Sequence, residues 1–322
     1  MVIFAGILFL HVPDGFLSLG LALLCWVLAL VVIGLAVRNG RNAFDERLIP
    51  VAGIMAAFIF AGQMINFPVA GGTSGHMIGA TLAAIVLGPW LAVLVMTAVI
   101  VLQALLFQDG GLVVMGANIL IMGVIPVIIS YGLFRMVAQR SKNIKLATAG
   151  LAAWLSVMGA ALVTALLLGF SGTSSFRVVV PAMLGIHAVI GLGEALITAA
   201  ALSFIMRARP QLVHESGTAG GRGWMVGGVV VILLVLLISP FASSFPDGLE
   251  WVAQQQGFIN AAKAAPVELL PDYTLPVLGD TAVSTITAGF IGALLVGLLV
   301  FGFAKMLKTT TNLDRPEVKS KE

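Results

Sequence analysis

Two histidines sit in short polar turns of an otherwise apolar chain. His11 lies in "LHVPDGFLS", residues 10–18, and His76 closes "FPVAGGTSGH", residues 67–76. Imidazole nitrogens suit zinc, copper, nickel and cobalt. The sole cysteine, Cys25, is inside an apolar run, so it reads as a small hydrophobe, with no disulfide and no thiolate site. Aspartates near the two turns are too few for a calcium cage of about six to eight oxygens. Two histidines are also too few for a closed tetrahedral zinc site. Further ligands would have to come from backbone nitrogen, an N-terminal amine or water. Gly71, Gly72 and Gly75 let the second turn approach other backbone closely. By spacing alone, the pair reads equally well as structural histidines and as metal ligands.

Other chemistries find little support. There is no HExxH and no Walker P-loop, so any ATP use belongs to other subunits. Ser74 and His76 are near neighbours, but adjacency does not make a nucleophile and base. Gln63, Asn66, Gln103, Asn118, His187 and Glu194 lie within or at the ends of apolar segments. Intramembrane polar groups are costly and pair inside the bundle. Gln63, Gln103 and Asn118 therefore read as interhelical hydrogen-bonding groups. Glu194 reads as a paired structural carboxylate or as part of a transport device. His214 reads as a solvated loop residue.

The elements that must position these residues are membrane helices. The chain has 322 residues, 60% hydrophobic and 10% charged, with mean hydropathy +1.10. Soluble domains carry about 25% charge. We therefore expect an all-α polytopic membrane protein lying in a lipid bilayer. The net charge of +3 does not imply nucleic-acid binding, because basic residues of membrane chains sort by side. Apolar segments fall at about 16–37, 48–66, 91–107, 117–136, 146–169, 180–206, 224–241 and 284–305, with a shorter one at 76–87. Counting the short one gives about nine, seven and then a two-helix hairpin. With the first running outside to inside, all of the 17 Lys and Arg except Arg177 and Lys263 fall on the cytoplasmic side. That asymmetry holds only if the 76–87 segment crosses. It places the His11 and His76 turns together on the extracytoplasmic face.

We expect the chain to divide into a possible extension at 1–9, a membrane domain carrying both histidine turns at 10–207, a cytoplasmic linker at 208–223, a helical hairpin at 224–307 and a polar cytoplasmic tail at 308–322; the resemblance below implies that the first domain binds metal and that the hairpin is auxiliary. The hairpin's outer loop, about 242–283, is acidic and carries "PDGLEWV" at 246–252.

These residues match a family pattern. "HVPDGFLS" at 11–18, "NFPVAGGTSGH" at 66–76, "LGPW" at 87–90, "QDGGL" at 108–112, "GAN" at 116–118 and "GIHAVIGLGEALIT" at 185–198 resemble the substrate-binding membrane component of energy-coupling-factor transporters for nickel and cobalt. The likeness covers about residues 10–207. The C-terminal hairpin resembles the small auxiliary subunit of the same systems, so the chain looks like a natural fusion of the two. The resemblance implies capture of Ni²⁺ or Co²⁺ as transported substrate, with no cofactor and no catalysis by this chain. It implies two further partners, a transmembrane coupling protein and a pair of cytoplasmic ATPases, in the cell (inner) membrane of a prokaryote. The "HVPDG" form leans toward nickel.

In that family the mature protein begins Met-His. Its terminal amine, the second residue's amide nitrogen and its imidazole bind the metal, and the histidine of the "GGTSGH" loop completes a square-planar set. The matching ligands are His11 and His76, with residue 10 supplying the amine. Asp14 and Gly15 would shape the turn that inserts this segment, and Asn66, Ser74 and His187 would support the site. Here His11 is internal. We expect translation to start at Leu10, from a leucine codon read as methionine. Cleavage of the first residues, or a retained extension with water as ligand, are the alternatives; the mass of the intact N-terminus separates them. A secondary cation transporter using Glu194 and His187, and a membrane enzyme, are the rival readings.

Overall fold

The computed structural model describes residues 11–43, 48–208, 223–264 and 269–313. Leu10, the amine expected there and His214 lie outside those residues. Eleven α-helices are described among them: α1 (Leu19–Ala43), α2 (Leu48–Gln63), α3 (Ala80–Leu87), α4 (Pro89–Leu102), α5 (Met115–Asn118), α6 (Ile125–Met136), α7 (Lys142–Phe170), α8 (Phe176–Ala208), α9 (Gly223–Ile238), α10 (Gly248–Gln255) and α11 (Ala282–Leu313). One two-stranded antiparallel ribbon, β1 (Phe67–Val69) and β2 (Thr73–Gly75), pairs Phe67 with Gly75. The protein is an all-α membrane protein.

Six helical stretches are long and apolar enough to cross a bilayer unaided. Helices α2 and α9 have 16 residues each and α3 only 8. Eight residues rise about 12 Å, against a hydrocarbon core of about 30 Å. The 76–87 segment, expected to cross, thus has two parts: residues 76–79 are non-helical and only 80–87 form a helix. Its Gly88–Pro89 turn lies with Gly40 and Leu48, at the end of the bundle away from His11.

Irregular backbone at membrane depth is tolerated only where protein satisfies its polar groups. Glu194 of α8 does so here. Its two carboxylate oxygens accept the N–H groups of Ile78 and Gly79 at 2.8 and 2.9 Å. Gln63 donates to the carbonyl of Ile78 at 2.8 Å. Glu194 therefore caps α3 from a distance, the structural one of its two readings. A Glu194→Gln variant turns an amide NH₂ toward one of these N–H donors, which costs about 1–3 kcal/mol. We expect a lower thermal midpoint in detergent, with metal bound per folded molecule retained. An unchanged midpoint would refute the capping role.

The hairpin joins the bundle through α2, which packs on α9 and α11. Gly53 of α2 and Gly297 of α11 face one another so closely that a Cβ on Gly53 would meet the Gly297 carbonyl at 2.9 Å. Small residues at such crossings let helix backbones approach in lipid. Two π-helical turns, Gln103–Phe107 and Ile119–Val124, bracket the 108–114 loop and the short α5 that follows it. Such turns recur at functional sites because the widened coil re-aims side chains.

Candidate metal site

Residues 11–18 run across the top of the bundle under tight backbone control. Asn118 clamps Val12 from both sides: its Oδ1 accepts the Val12 N–H at 3.1 Å, and its Nδ2 donates to the Val12 carbonyl at 3.0 Å. The Gly111 N–H donates to the same carbonyl at 3.0 Å. Asp14 accepts the N–H groups of Leu112 and Val114 at 3.1 Å each. Thr173 donates to the Phe16 carbonyl, and Ser171 accepts the Ser18 N–H. Asn118 thus binds backbone across elements, where its type suggested a helix–helix contact.

The hairpin loop closes over this segment. The Lys263 N–H donates to the Asp14 carbonyl at 2.8 Å. Phe258 meets Phe16 edge-to-face at 5.1 Å. On the other side, the β-ribbon fastens the "PDGLE" turn. The Ser74 N–H donates to the Pro246 carbonyl at 2.8 Å, its hydroxyl to the Phe245 carbonyl at 2.7 Å, and Thr73 to the Pro246 carbonyl at 3.0 Å. Asn66 uses its backbone carbonyl to accept the Ser243 N–H at 2.8 Å. Asn66 and Ser74 therefore hold the hairpin loop, and neither lines the cavity beneath it.

That cavity measures about 70 Å³ and is lined by His11, His76, His187, Asn118, Asp247, Thr164 and otherwise apolar residues. It is far below the roughly 300–1,000 Å³ of organic-ligand pockets, and of a size for an ion. The rings of His11 and His76 stand 5.8 Å apart at 88°. His187 is brought to the same space from α8, with its Nδ1 donating to the Met183 carbonyl at 2.8 Å. Asp247, from the hairpin, caps α10 by accepting the Glu250 N–H at 2.7 Å.

His11 is 2% exposed. Its Nδ1 lies 2.9 Å from the Asp109 carbonyl oxygen and 3.1 Å from the Asp109 carboxylate, so Nδ1 carries the proton. Its Nε2 is buried and has no hydrogen-bond partner among the described residues. An unpaired buried acceptor costs about 1–3 kcal/mol; a cation in the cavity would remove that cost. His76 likewise donates Nδ1 to the Met77 carbonyl at 3.1 Å, which assigns its lone pair to Nε2.

Burial alone would lower the His11 pKa, but the Asp109 carboxylate outweighs it and leaves it raised. Burial would raise Asp109, and the His11 imidazole and the Tyr273 hydroxyl bring it below the usual carboxylate value. Burial pushes Asp247 up to about 8. A cation arriving beside Asp247 would favour its ionised form.

One implied feature is not what the structure presents. A histidine can chelate one ion through its own amide and its own ring only by way of Nδ1, because Nε2 points away from the backbone. Here Asp109 holds Nδ1 and the ring offers Nε2. The implied chelate needs the ring released and turned. Among the described residues no three His, Cys, Asp or Glu side chains converge as a ready metal cluster. Side chains alone thus leave the coordination incomplete.

Asp109, Tyr273 and Asp247 were absent from the expected site. Asp109 and Asp247 fell inside the quoted "QDGGL" and "PDGLE" motifs, and that was the available signal. Tyr273 carried none.

Residues 11–212 match the family described as "Cobalt uptake substrate-specific transmembrane region", and residues 222–309 match the PDGLE domain. A putative fused nickel transport protein of Archaeoglobus fulgidus is 34% identical over 93% of this chain and 100% of its own length. A probable fused nickel transport protein of Lactiplantibacillus plantarum is 32% identical over 89% of this chain and 96% of its own. A crystal structure of a truncated transition metal transporter superposes with TM-score 0.56 at 33% identity, covering 62% of this chain and 99% of that one.

Proposed function

The chain belongs to the family of cobalt-uptake substrate-specific transmembrane regions, joined to a PDGLE domain, and on that premise we propose that it captures Ni²⁺ or Co²⁺ for uptake across a cell membrane. The ion enters from the extracytoplasmic side and is held by His11 and His76, with Asp247 balancing its charge. The observation that carries this reading is the buried Nε2 of His11, which has no hydrogen-bond partner among the described residues and lines an ion-sized cavity shared with His76. Transport runs with a transmembrane coupling protein and two cytoplasmic ATPases, which supply the ATP chemistry this chain's motifs lack.

Two measurements test it. Purified full-length protein exposed to Ni²⁺ or Co²⁺ should retain about one ion per chain by elemental analysis. Uptake in cells should require the coupling protein and both ATPases. Absence of retained metal would refute capture, and uptake that persists without the ATPases would favour the secondary-transport alternative.

The site also sets a pH dependence. Metal needs a neutral imidazole, so protonation competes with binding. Asp109 raises the His11 pKa. Affinity should therefore start to fall, as pH drops, at a higher pH than for a free imidazole of pKa about 6.5. Asp109→Asn removes the charge and should move that acid edge to lower pH. Calorimetric titration across a pH series reads both edges; coincident edges would contradict the assignment.

A further inference from the structure

Away from the metal site, α8 and the hairpin leave a slot between them. Helix α8 packs on α7, and α9 packs on α2. Gly228 draws α9 against α2: a Cβ there would lie 2.9 Å from the Ile54 side chain, whereas a Cβ on Gly227 would meet open space. Helix α9 is thereby held on one side and leaves room on another. The resulting space is walled by α2, α3, α8 and α9 and measures about 440 Å³. Every residue lining it is apolar, and along α8 it runs from Ile197 to Ala208.

Its dimensions limit what fits. Ile197 to Ala208 spans about 16 Å at 1.5 Å per residue. One leaflet of a bilayer has a hydrocarbon depth of about 15 Å, half of a core of about 30 Å. The slot is thus one leaflet deep. It lies toward the end of the bundle away from His11, where α3 contributes Val86 just before the Gly88–Pro89 turn. That end is cytoplasmic in the orientation the Lys and Arg asymmetry favours. A volume of about 440 Å³ over that length leaves a mean cross-section of about 27 Å². A helix with its side chains is about 10–12 Å across, or about 80 Å² and more. A hydrocarbon chain can enter the slot, and a partner's helix cannot. Left empty, the walls would forfeit dispersion contacts along their whole length.

A positive charge marks the mouth. Arg207 adjoins Ala208, the last lining residue of α8, and is exposed. Among the described residues it is in no ion pair. A guanidinium binds phosphate oxygens through paired, charge-assisted hydrogen bonds. Basic groups between membrane helices on the cytoplasmic side select anionic lipid headgroups. A phospholipid carries its phosphate one leaflet depth from the end of its acyl chain, which is the separation between Arg207 and the far end of the slot.

We propose that the slot between α8 and α9 holds one acyl chain of an anionic phospholipid, with its phosphate on Arg207, and that this lipid joins the hairpin to α8. The proposal is independent of the capture reading above. Bulk lipid tails are as apolar as the slot, so burial by itself adds little. Shape and the headgroup supply the preference. A basic residue near anionic lipid is worth about 1 kcal/mol, or roughly fivefold.

The test uses full-length protein in detergent, stripped of lipid and then offered phosphatidylglycerol or phosphatidylcholine with the same acyl chains. Native mass spectrometry counts the lipids retained per chain. Wild type should keep one phosphatidylglycerol, about fivefold in preference to phosphatidylcholine. Its thermal midpoint should rise with that lipid, because a ligand of the folded state stabilises it. Arg207→Gln, at an exposed position, should remove the preference. Ala201→Phe fills the slot from α8 and should abolish retention of both lipids. Val231→Phe fills it from α9 and should do the same, so a folding defect in one variant leaves the other to decide. Leu196→Phe, on α8 but 73% exposed and outside the slot, should change nothing. No retained lipid in wild type, equal retention of the two lipids, an unchanged preference in Arg207→Gln, or wild-type retention in a folded slot-filling variant each overturns the proposal.

Discussion

Replacing His76 with alanine should abolish high-affinity binding of Ni²⁺ and Co²⁺ while leaving the fold in place. An ion about 2.0–2.1 Å from a nitrogen of each of two imidazoles holds their ring centroids no more than about 6 Å apart. The His11 and His76 rings stand 5.8 Å apart, inside that limit. Their unprotonated ring nitrogens are both Nε2, assigned by the bonds each Nδ1 makes. No cluster of three ionisable ligands exists among the described residues, so losing one of two imidazoles removes a large share of the side-chain ligands. The expected loss is at least about a hundredfold, beyond the 10–100-fold of an outer partner. His76 is half-buried, and its Nδ1 donates to the Met77 carbonyl next along the chain. We expect the thermal midpoint to stay near the wild-type value. Calorimetry with Ni²⁺ and Co²⁺ measures the loss. His187→Ala provides the contrast: it lines the same cavity and should cost about tenfold or less. Binding by His76→Ala within a few-fold of wild type would remove His76 from the site.

The second large effect concerns Gly15. Its φ is +95°, and a Cβ there would lie 2.0 Å from the Ala261 carbonyl oxygen. The neighbouring Asp14 carbonyl accepts the Lys263 N–H. Gly15 is thus where the His11 segment and the hairpin loop touch backbone to backbone. Gly15→Val imposes a left-handed conformation on a β-branched residue, about 1–3 kcal/mol. It also forces an overlap worth about another 1–3 kcal/mol. The cheapest relief is for the 258–263 stretch to lift, since the 11–14 stretch is held by Asn118 and by Asp14's own bonds to Leu112 and Val114. We expect faster hydrogen exchange over residues 242–264 with the transmembrane helices unaffected. Metal affinity should fall about 10–100-fold, which corresponds to about 1.4–2.8 kcal/mol of that strain reaching the site. Exchange and affinity both at wild-type values would show that the hairpin does not cover the site through this contact.

Much of the frame is legible in the residues themselves. Segment positions follow from hydropathy, and each of the nine apolar stretches holds a helix. The 76–87 stretch departed most. Eight residues suffice for its helix, because Glu194 and Gln63 satisfy the uncoiled part; hydropathy registers greasiness but not the identity of a distant cap. Asp14 and Gly15 could be read as a turn from their types. That the same turn meets the hairpin loop could not, because Ala261 and Lys263 are ordinary loop residues by type. Asn118 and Gln103 were legible as polar groups needing partners, without any hint of which.

The sequence by itself determined the membrane class, the order of the apolar segments, and the two histidine turns with a ligand set too small to be complete. These are properties of composition and local spacing, readable in windows of one or two dozen residues. Only the tertiary structure decided which polar group answers which. His11 finds Asp109 98 residues away, Asp109 finds Tyr273 164 away, and Ile78 finds Glu194 116 away. The physical reason is the reach of a hydrogen bond, about 3 Å with narrow angles. An apolar interior makes it costly for a buried polar group to go without a partner. Which partner stands within that distance depends on how the helices pack, and so does the nitrogen that His11 turns toward the cavity.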